Sequence, residues 1–207
     1  DRGRTWDFAN TVPLGQFYEI GDDMSRPYKV CGGLQDNNTW CGPSATLNPQ
    51  GISNSDWYTI GGGDGFYAQP DPNDPDIVYA ESQDGNLLRR NVRTGESKSI
   101  RPREEEGEAN YRFQWNSPIV ISKFAPNTIY YAGNFLFKST NRGDVWTKIS
   151  PDLTTNVDRN TLPVMGKTPD RNSRSRHDGV RYFPTITTVA ESPLDANVLW
   201  AGTDDGN

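Results

Sequence analysis

One histidine, His177, and two cysteines, Cys31 and Cys41, are all that this chain of 207 residues holds of those two types. Any chemistry that needs an imidazole must therefore use His177. Two thiolates and one imidazole do not complete a structural zinc site, which takes four ligands. Positive charge is also in deficit: Lys and Arg number 21 against 27 Asp and Glu, a formal net charge of −6. A nucleic-acid surface needs a basic patch, and this balance argues against one. Apolar residues make up 33% of the chain and mean hydropathy is −0.80. No run approaches the roughly 20 apolar residues of a membrane-spanning helix. Sustained helical periodicity is almost absent. The glycines from Gly61 to Gly65 are not followed by the Gly-Lys-Ser/Thr of a phosphate loop. Asp204-Asp205-Gly206-Asn207 hints at a calcium loop but lacks its twelfth-position acid. Neither a metal nor a cofactor is expected.

The chain is instead rich in turn formers and rings: Gly 20, Pro 15, Trp 6, Tyr 9 and Phe 8. That composition favours turns and strands with aromatic packing. An internal repeat gives it order. Each copy opens on a Pro- or Asn-marked turn and continues as an apolar strand: Pro27 to Asn37, Pro75 to Gly85, Pro126 to Asn134 and Ala196 to Gly206. The copies start at positions 27, 75, 126 and 196, so the steps are 48, 51 and 70 residues. A period near 50 suits a four-stranded propeller blade, and the long last step must hold an insertion. A strand precedes each copy: Gln16 to Ile20, Gly65 to Ala68, Pro118 to Ser122 and Thr185 to Ala190. Third strands are expected at Thr39 to Gly42, Leu87 to Val92 and Phe135 to Lys138. Fourth strands follow at Asp56 to Ile60, Ser97 to Arg101 and Trp146 to Ile149.

The fold class is therefore all-β, with four-stranded antiparallel blades over 14–60, 61–102 and 111–150. Half a blade follows over 183–207, with 151–182 inserted. About three and a half blades close no ring, so the reading is part of a larger β-propeller whose remainder lies in the same or another chain. The alternative is a self-contained sandwich of four-stranded sheets. Arg103 to Glu108 reads as a charged, solvated loop.

Cys31 and Cys41 flank a hairpin centred on Asp36, five residues from each, so they face one another on neighbouring antiparallel strands. That register is compatible with a disulfide. The pairing implies an oxidising compartment: secreted, periplasmic or cell surface. The alternative is two reduced, partly buried thiols. Asn37-Asn38-Thr39 is a glycosylation sequon, relevant in a eukaryotic source.

Two short stretches share a spacing: Ser139-Thr140-Asn141-Arg142-Gly143-Asp144-Val145-Trp146 and Asp1-Arg2-Gly3-Arg4-Thr5-Trp6. Asn141 or Asp1 would fold back on backbone N–H groups, Gly143 or Gly3 would take positive φ, and Trp146 or Trp6 would bury its ring under the turn. A chain that begins inside such a stretch is not expected to start naturally at Asp1. The spacing resembles the Asp box of sialidase-type repeats, sortilin and xyloglucanases. The likeness extends over essentially the whole chain. It is carried by Gly15 to Tyr18, Gly32 to Asn37, Gly61 to Gly65, Trp146 to Leu153, Arg176 to Gly179 and Gly202 to Asn207. These stretches look most like large bacterial secreted proteins with sortilin-like repeats, often labelled glycosyl hydrolase. The resemblance implies a β-propeller in which the box joins the third and fourth strands of a blade, so the box is structural.

Candidate chemistry lies elsewhere. Gly61-Gly62-Gly63-Asp64-Gly65-Phe66 loosely resembles the segment around the catalytic base of xyloglucanases, which singles out Asp64. An inverting glycosidase needs two carboxyl groups about 6.5–9.5 Å apart, and the second has no clear candidate here. Asp36, Asp84 and Asp205 are equivalent in three repeats, which favours a turn role. Arg176-His177-Asp178 stands just before a first-strand candidate, where it would face the mouth of the channel and bind a ligand. With Arg171, Arg174 and Arg181, Arg176 forms a basic rim. Three functions follow as expectations: an extracytoplasmic scaffold binding a protein or peptide partner, a xyloglucanase-type hydrolase acting on a polysaccharide, or a structural subunit of a surface assembly.

Overall fold

Runs of alternating apolar and polar residues, punctuated by Pro, Asn, Asp and Gly, produce strands throughout. The computed structural model describes residues 2–6, 15–125, 127–174, 176 and 179–207. Among these, four antiparallel sheets form, all in simple up-and-down order. The first holds β1 (Phe17–Asp22), β2 (Lys29–Leu34), β3 (Thr39–Pro43) and β4 (Tyr58–Gly61). The second holds β5 (Gly65–Asp71), β6 (Asp74–Ser82), β7 (Asn86–Asn91) and β8 (Ser97–Ser99). The third holds β9 (Ile119–Ile121), β10 (Ile129–Ala132), β11 (Leu136–Ser139) and β12 (Thr147–Lys148). The fourth is a pair, β13 (Ile186–Glu191) and β14 (Leu199–Thr203). The strands fall where the repeats place them, with boundaries moved by a few residues. Among the described residues, no helix is long and apolar enough to cross a membrane.

First strands lie side by side: β5 packs against β1 and β2, β9 against β5, and β13 against β9 and β10. Three apolar clusters fill the seams. Cys31, Cys41, Ile60, Ala68, Val78 and Ala80 join the first two sheets. Ile77, Tyr79, Leu87, Ile100, Tyr111, Phe113, Tyr131 and Phe137 are among those that join the second and third. Tyr130, Ala132, Leu136 and Ile186 join the third and fourth.

The antiparallel order sorts the loops into two ends. A second strand finishes at the end where its sheet's first strand began. The turns between second and third strands therefore share one end with the links between sheets. The turns between first and second, and third and fourth, strands lie at the other. At that other end one oxygen-bearing side chain braces each first turn. Asp23 Oδ1 accepts the Ser25 and Lys29 N–H groups at 3.1 and 2.7 Å. Asp71 Oδ1 accepts Asn73 N–H at 2.9 Å. Ser122 Oγ accepts from Phe124 and Ala125, and Ser192 Oγ from Leu194 and Asp195. The Pro-Asp-rich turns of the sequence owe their shape to this position.

Candidate functional site

The sheet-linking end carries Asp64 and the root of the 151–182 insertion. Gly61 to Gly65 runs from β4 into β5. Its last glycine stacks backbone to backbone on Gly33 of β2: a Cβ on Gly33 would fall 1.9 Å from the Gly65 carbonyl carbon. Gly63 has φ +83°, and the Gln83 side chain occupies the space a Cβ would need. Asp64, 7% exposed, lies against this contact. Its Oδ1 accepts the Asp36 N–H at 2.5 Å and Gln35 Nε2–H at 3.5 Å. The carboxylate thus caps the β2–β3 hairpin of the neighbouring sheet.

Asp36 and Asp84 share a left-handed backbone, φ 59° and 62°, as equivalent turn positions should. The Asp84 carboxylate does not cap its own hairpin; it pairs with Arg181 at 2.8 Å. Asp205 Oδ2 accepts Thr155 N–H and Oγ1–H at 2.6 and 2.5 Å, and its Oδ1 accepts Thr203 Oγ1–H at 2.6 Å. Burial opposes its charge, but the bonds from Thr155 and Thr203 outweigh it and hold its pKa below the ordinary value. Asp204 accepts from Thr185 N–H and Oγ1–H at 2.8 and 3.0 Å, and from Gln114 Nε2–H at 3.1 Å.

Asp152 anchors the start of the insertion. It accepts from Thr154, from Asn134 Nδ2–H at 2.8 Å and from Arg112 Nη2–H at 2.8 Å. Its pKa is again lowered, with burial overcome by these bonds. Arg112 Nε–H reaches the Pro184 carbonyl at 2.9 Å, so one guanidinium joins both roots of the insertion. Of the four arginines, Arg181 docks on Asp84, and Arg176 Nη2–H donates to Asn160 Oδ1 at 2.5 Å. Arg174 and Arg176 line a cavity with Lys167, away from Asp64 in the sequence. His177, Asp178 and Asp1 lie outside the described residues.

A row of rings runs from β1 across β5 to the link before β9, beside Asp64. Tyr18 and Phe66 have centroids 4.6 Å apart, and Phe66 and Trp115 6.3 Å apart. Phe66 is buried; Tyr18 and Trp115 are each 36% exposed. Burial, then the charges of Asp64 and Asp36, push the Tyr18 hydroxyl above its usual pKa.

The Ser139–Trp146 stretch joins β11 to β12, at the end opposite this one. Ser139 Oγ accepts Gly143 N–H at 2.9 Å, and Asn141 Oδ1 accepts Val145 N–H at 2.9 Å. Arg142 and Gly143 take φ 60° and 84°. Trp146 is half-buried, its indole N–H donating to the Ile100 carbonyl of the neighbouring sheet at 2.6 Å. Arg2 and Gly3 repeat that turn with φ 59° and 77°. Trp6, however, is 88% exposed and bonds its own Gly3 carbonyl at 3.0 Å, rather than burying its ring. The turn backbone is set locally, whereas burial of the ring needs a neighbouring sheet. Cys31 and Cys41 are register partners joined by a disulfide, Cα–Cα 4.1 Å.

Glu81 escaped sequence reasoning. It is 1% exposed and wedges between the second and third sheets, with Oε1 accepting Ser117 N–H at 3.1 Å. Desolvation, above all, raises its pKa well beyond the ordinary glutamate value. A signal was present: with the repeats aligned on their first residues, small residues, Gly33, Ala132 and Gly202, stand where Glu81 does. Charged side chains in the 103–108 run are also used: Glu104 accepts Tyr111 N–H at 2.6 Å, and Glu108 accepts from Tyr111 Oη and Lys148 Nζ. The Lys148 bond, first, and the Tyr111 bond hold Glu108 down to about 2.

Among the described residues no group of three or more His, Cys, Asp or Glu is placed to hold a metal ion. At this end the carboxylates of Asp64, Asp152, Asp204 and Asp205 fix loops by accepting backbone N–H groups, while Asp84 does so by pairing with Arg181. Compared with known proteins, the chain matches no family model, and no curated protein matches it.

Proposed function

We propose that the chain is part of an Asp-box β-propeller, similar to the sortilin and xyloglucanase group, that serves as an extracytoplasmic binding scaffold for a protein or peptide partner. Four up-and-down sheets laid first strand to first strand support the propeller. A buried cross-strand disulfide supports the oxidising compartment. One observation carries the binding reading: Asp64, the candidate base, is engaged as a hairpin cap at 2.5 Å from Asp36 N. Beside it, Tyr18 of β1 and Trp115 of the link before β9 offer partly exposed aromatic faces on either side of buried Phe66. Large, stiff rings of this kind anchor partners at low entropic cost.

The same rings are the observation that favours a polysaccharide hydrolase as the second reading, because sugars also stack on aromatic faces. An assay on soluble β-glucans with the wild type and Asp64→Asn separates the two. The scaffold reading expects no reducing ends from either protein. It also expects peptides selected from a displayed library to lose binding in Trp115→Ala. Hydrolysis by the wild type that Asp64→Asn abolishes overturns it.

A further inference from the structure

Residues between Val164 and Arg176 of the insertion line a solvent-open cavity of about 400 Å³ that the hairpin-capping end does not use. Its lining includes Lys167, Thr168, Asp170, Ser173, Arg174 and Arg176. Three cations and two hydroxyls therefore meet one carboxylate, in a chain whose net charge is −6. That carboxylate is already engaged: Asp170 Oδ1 accepts Asn172 N–H at 2.8 Å and Ser173 Oγ–H at 3.2 Å.

The walls are braced. Val164 and Lys167 exchange backbone bonds at 2.8 and 3.2 Å across a tight turn. Met165 and Gly166 at its centre have φ 51° and 81°, the left-handed pair that such a turn requires. Arg176 is fixed by its bond to Asn160, which leaves its buried Nε–H without an acceptor among the described residues. A buried donor without a partner carries an uncompensated desolvation cost that an incoming acceptor would relieve.

We propose that this cavity binds an oxyanion group, a sulfate, phosphate or carboxylate, between Lys167, Arg174 and Arg176. A guanidinium fork matches the paired oxygens of all three groups, and the lysine adds a mobile point charge. The inference does not rest on the scaffold reading, because the cavity is built within the insertion itself.

The test is an amide and Arg Nε–H NMR titration of the full chain with sodium sulfate, sodium phosphate and sodium acetate at matched ionic strength. Saturable shifts confined to residues 164–176 are expected, strongest for the ion whose geometry fits. Arg174→Gln should weaken the affinity by about tenfold, the loss of one charge-assisted contact. Lys167→Gln should weaken it less, and Arg171→Gln, absent from the lining, should leave it unchanged. Unchanged Tm in each variant certifies the fold, and Lys167→Gln serves if Arg174→Gln unfolds. Linear, unsaturable shifts, or equal losses in all three variants, overturn the site.

Discussion

The seam between the first and second sheets and the seam between the second and third solve one packing problem in opposite ways. In the first, small residues let backbones touch. Gly33 rests on Gly65, and Cys31, Cys41, Ala68 and Ala80 fill the remainder. In the second, the position of Gly33 is taken by Glu81, and the sheets stand apart around large rings. The loop after β8 inserts Tyr111 and Phe113 there, with Phe113 stacked 5.3 Å from Tyr131. Arg101 covers the Phe113 ring at 4.8 Å. Cross-seam polar contacts follow the same division. The first seam has the Asp64 cap and Lys29 on the Pro75 carbonyl. The second adds Arg142 on Asp71 and Asp74, and Arg89 and Lys98 on Asp144. A close backbone seam tolerates no added atom, whereas a ring-filled seam tolerates rearrangement but depends on each ring.

Substitution at the glycine contact is the strongest way to break this comparison. Gly33→Ala should destabilise the chain by about 3 kcal/mol or more, since its Cβ would overlap backbone that has no room to yield. Urea denaturation should show this as a lower midpoint at an unchanged slope. A loss under about 1 kcal/mol would mean the first seam can open as the second does.

Reducing the disulfide, or Cys31→Ala with Cys41→Ala, should cost about 2–3 kcal/mol for so short a loop. Hydrogen exchange should rise in β2 and β3 before it rises in β10 and β11. Simultaneous loss of protection in both sheets would contradict separate seams.

Trp146→Ala tests the second seam. Removing its half-buried ring and its bond to Ile100 should cost about 2–3 kcal/mol. Trp6→Ala, the same residue in the exposed copy of the turn, should stay within about 0.5 kcal/mol. Equal effects would show that the turn, not the seam, uses the tryptophan.

Glu81→Gln sharpens the contrast through pH. The folded-state pKa of Glu81 lies above its unfolded value, mainly through desolvation. Below the unfolded pKa both states hold the proton, and the contribution to stability is complete. As pH rises, the unfolded chain ionises first, and stability falls by up to about 1.4 kcal/mol per pH unit until the folded pKa is passed. Glutamine removes that slope, so the variant should be more stable than the wild type at neutral pH and converge with it near pH 4. A difference that does not change with pH would assign Glu81 a purely steric role.

The strands were legible because their signals are local. Pro-Asp turns, period-two apolar runs and the repeat step place nearly every strand without knowledge of its neighbours. The Cys31–Cys41 register also follows from one hairpin. The carboxylates at the sheet-linking end were harder to read. Asp36 and Asp84 were legible as turn residues by their equivalence, but the partners of their loops were not. Asp64 caps a hairpin 28 residues earlier in the chain, and Arg181 reaches Asp84 across 97 residues. Glu81 could be noticed as the one large, charged residue in a column of small ones, but nothing in the column says that it spans a seam.

By itself, then, the sequence determined the all-β class, the order and spacing of the strands, the disulfide register and the two left-handed turns at Arg2-Gly3 and Arg142-Gly143. Each depends on dihedral preferences and periodicity within a few residues. Only the tertiary structure decided that Trp146 is packed while Trp6 is exposed. The same holds for the Asp64 cap, for Glu81, whose pKa burial raises, and for the cations of the insertion gathered around one cavity. Those outcomes depend on which sheet lies alongside, and desolvation and packing act between segments that are distant in the chain.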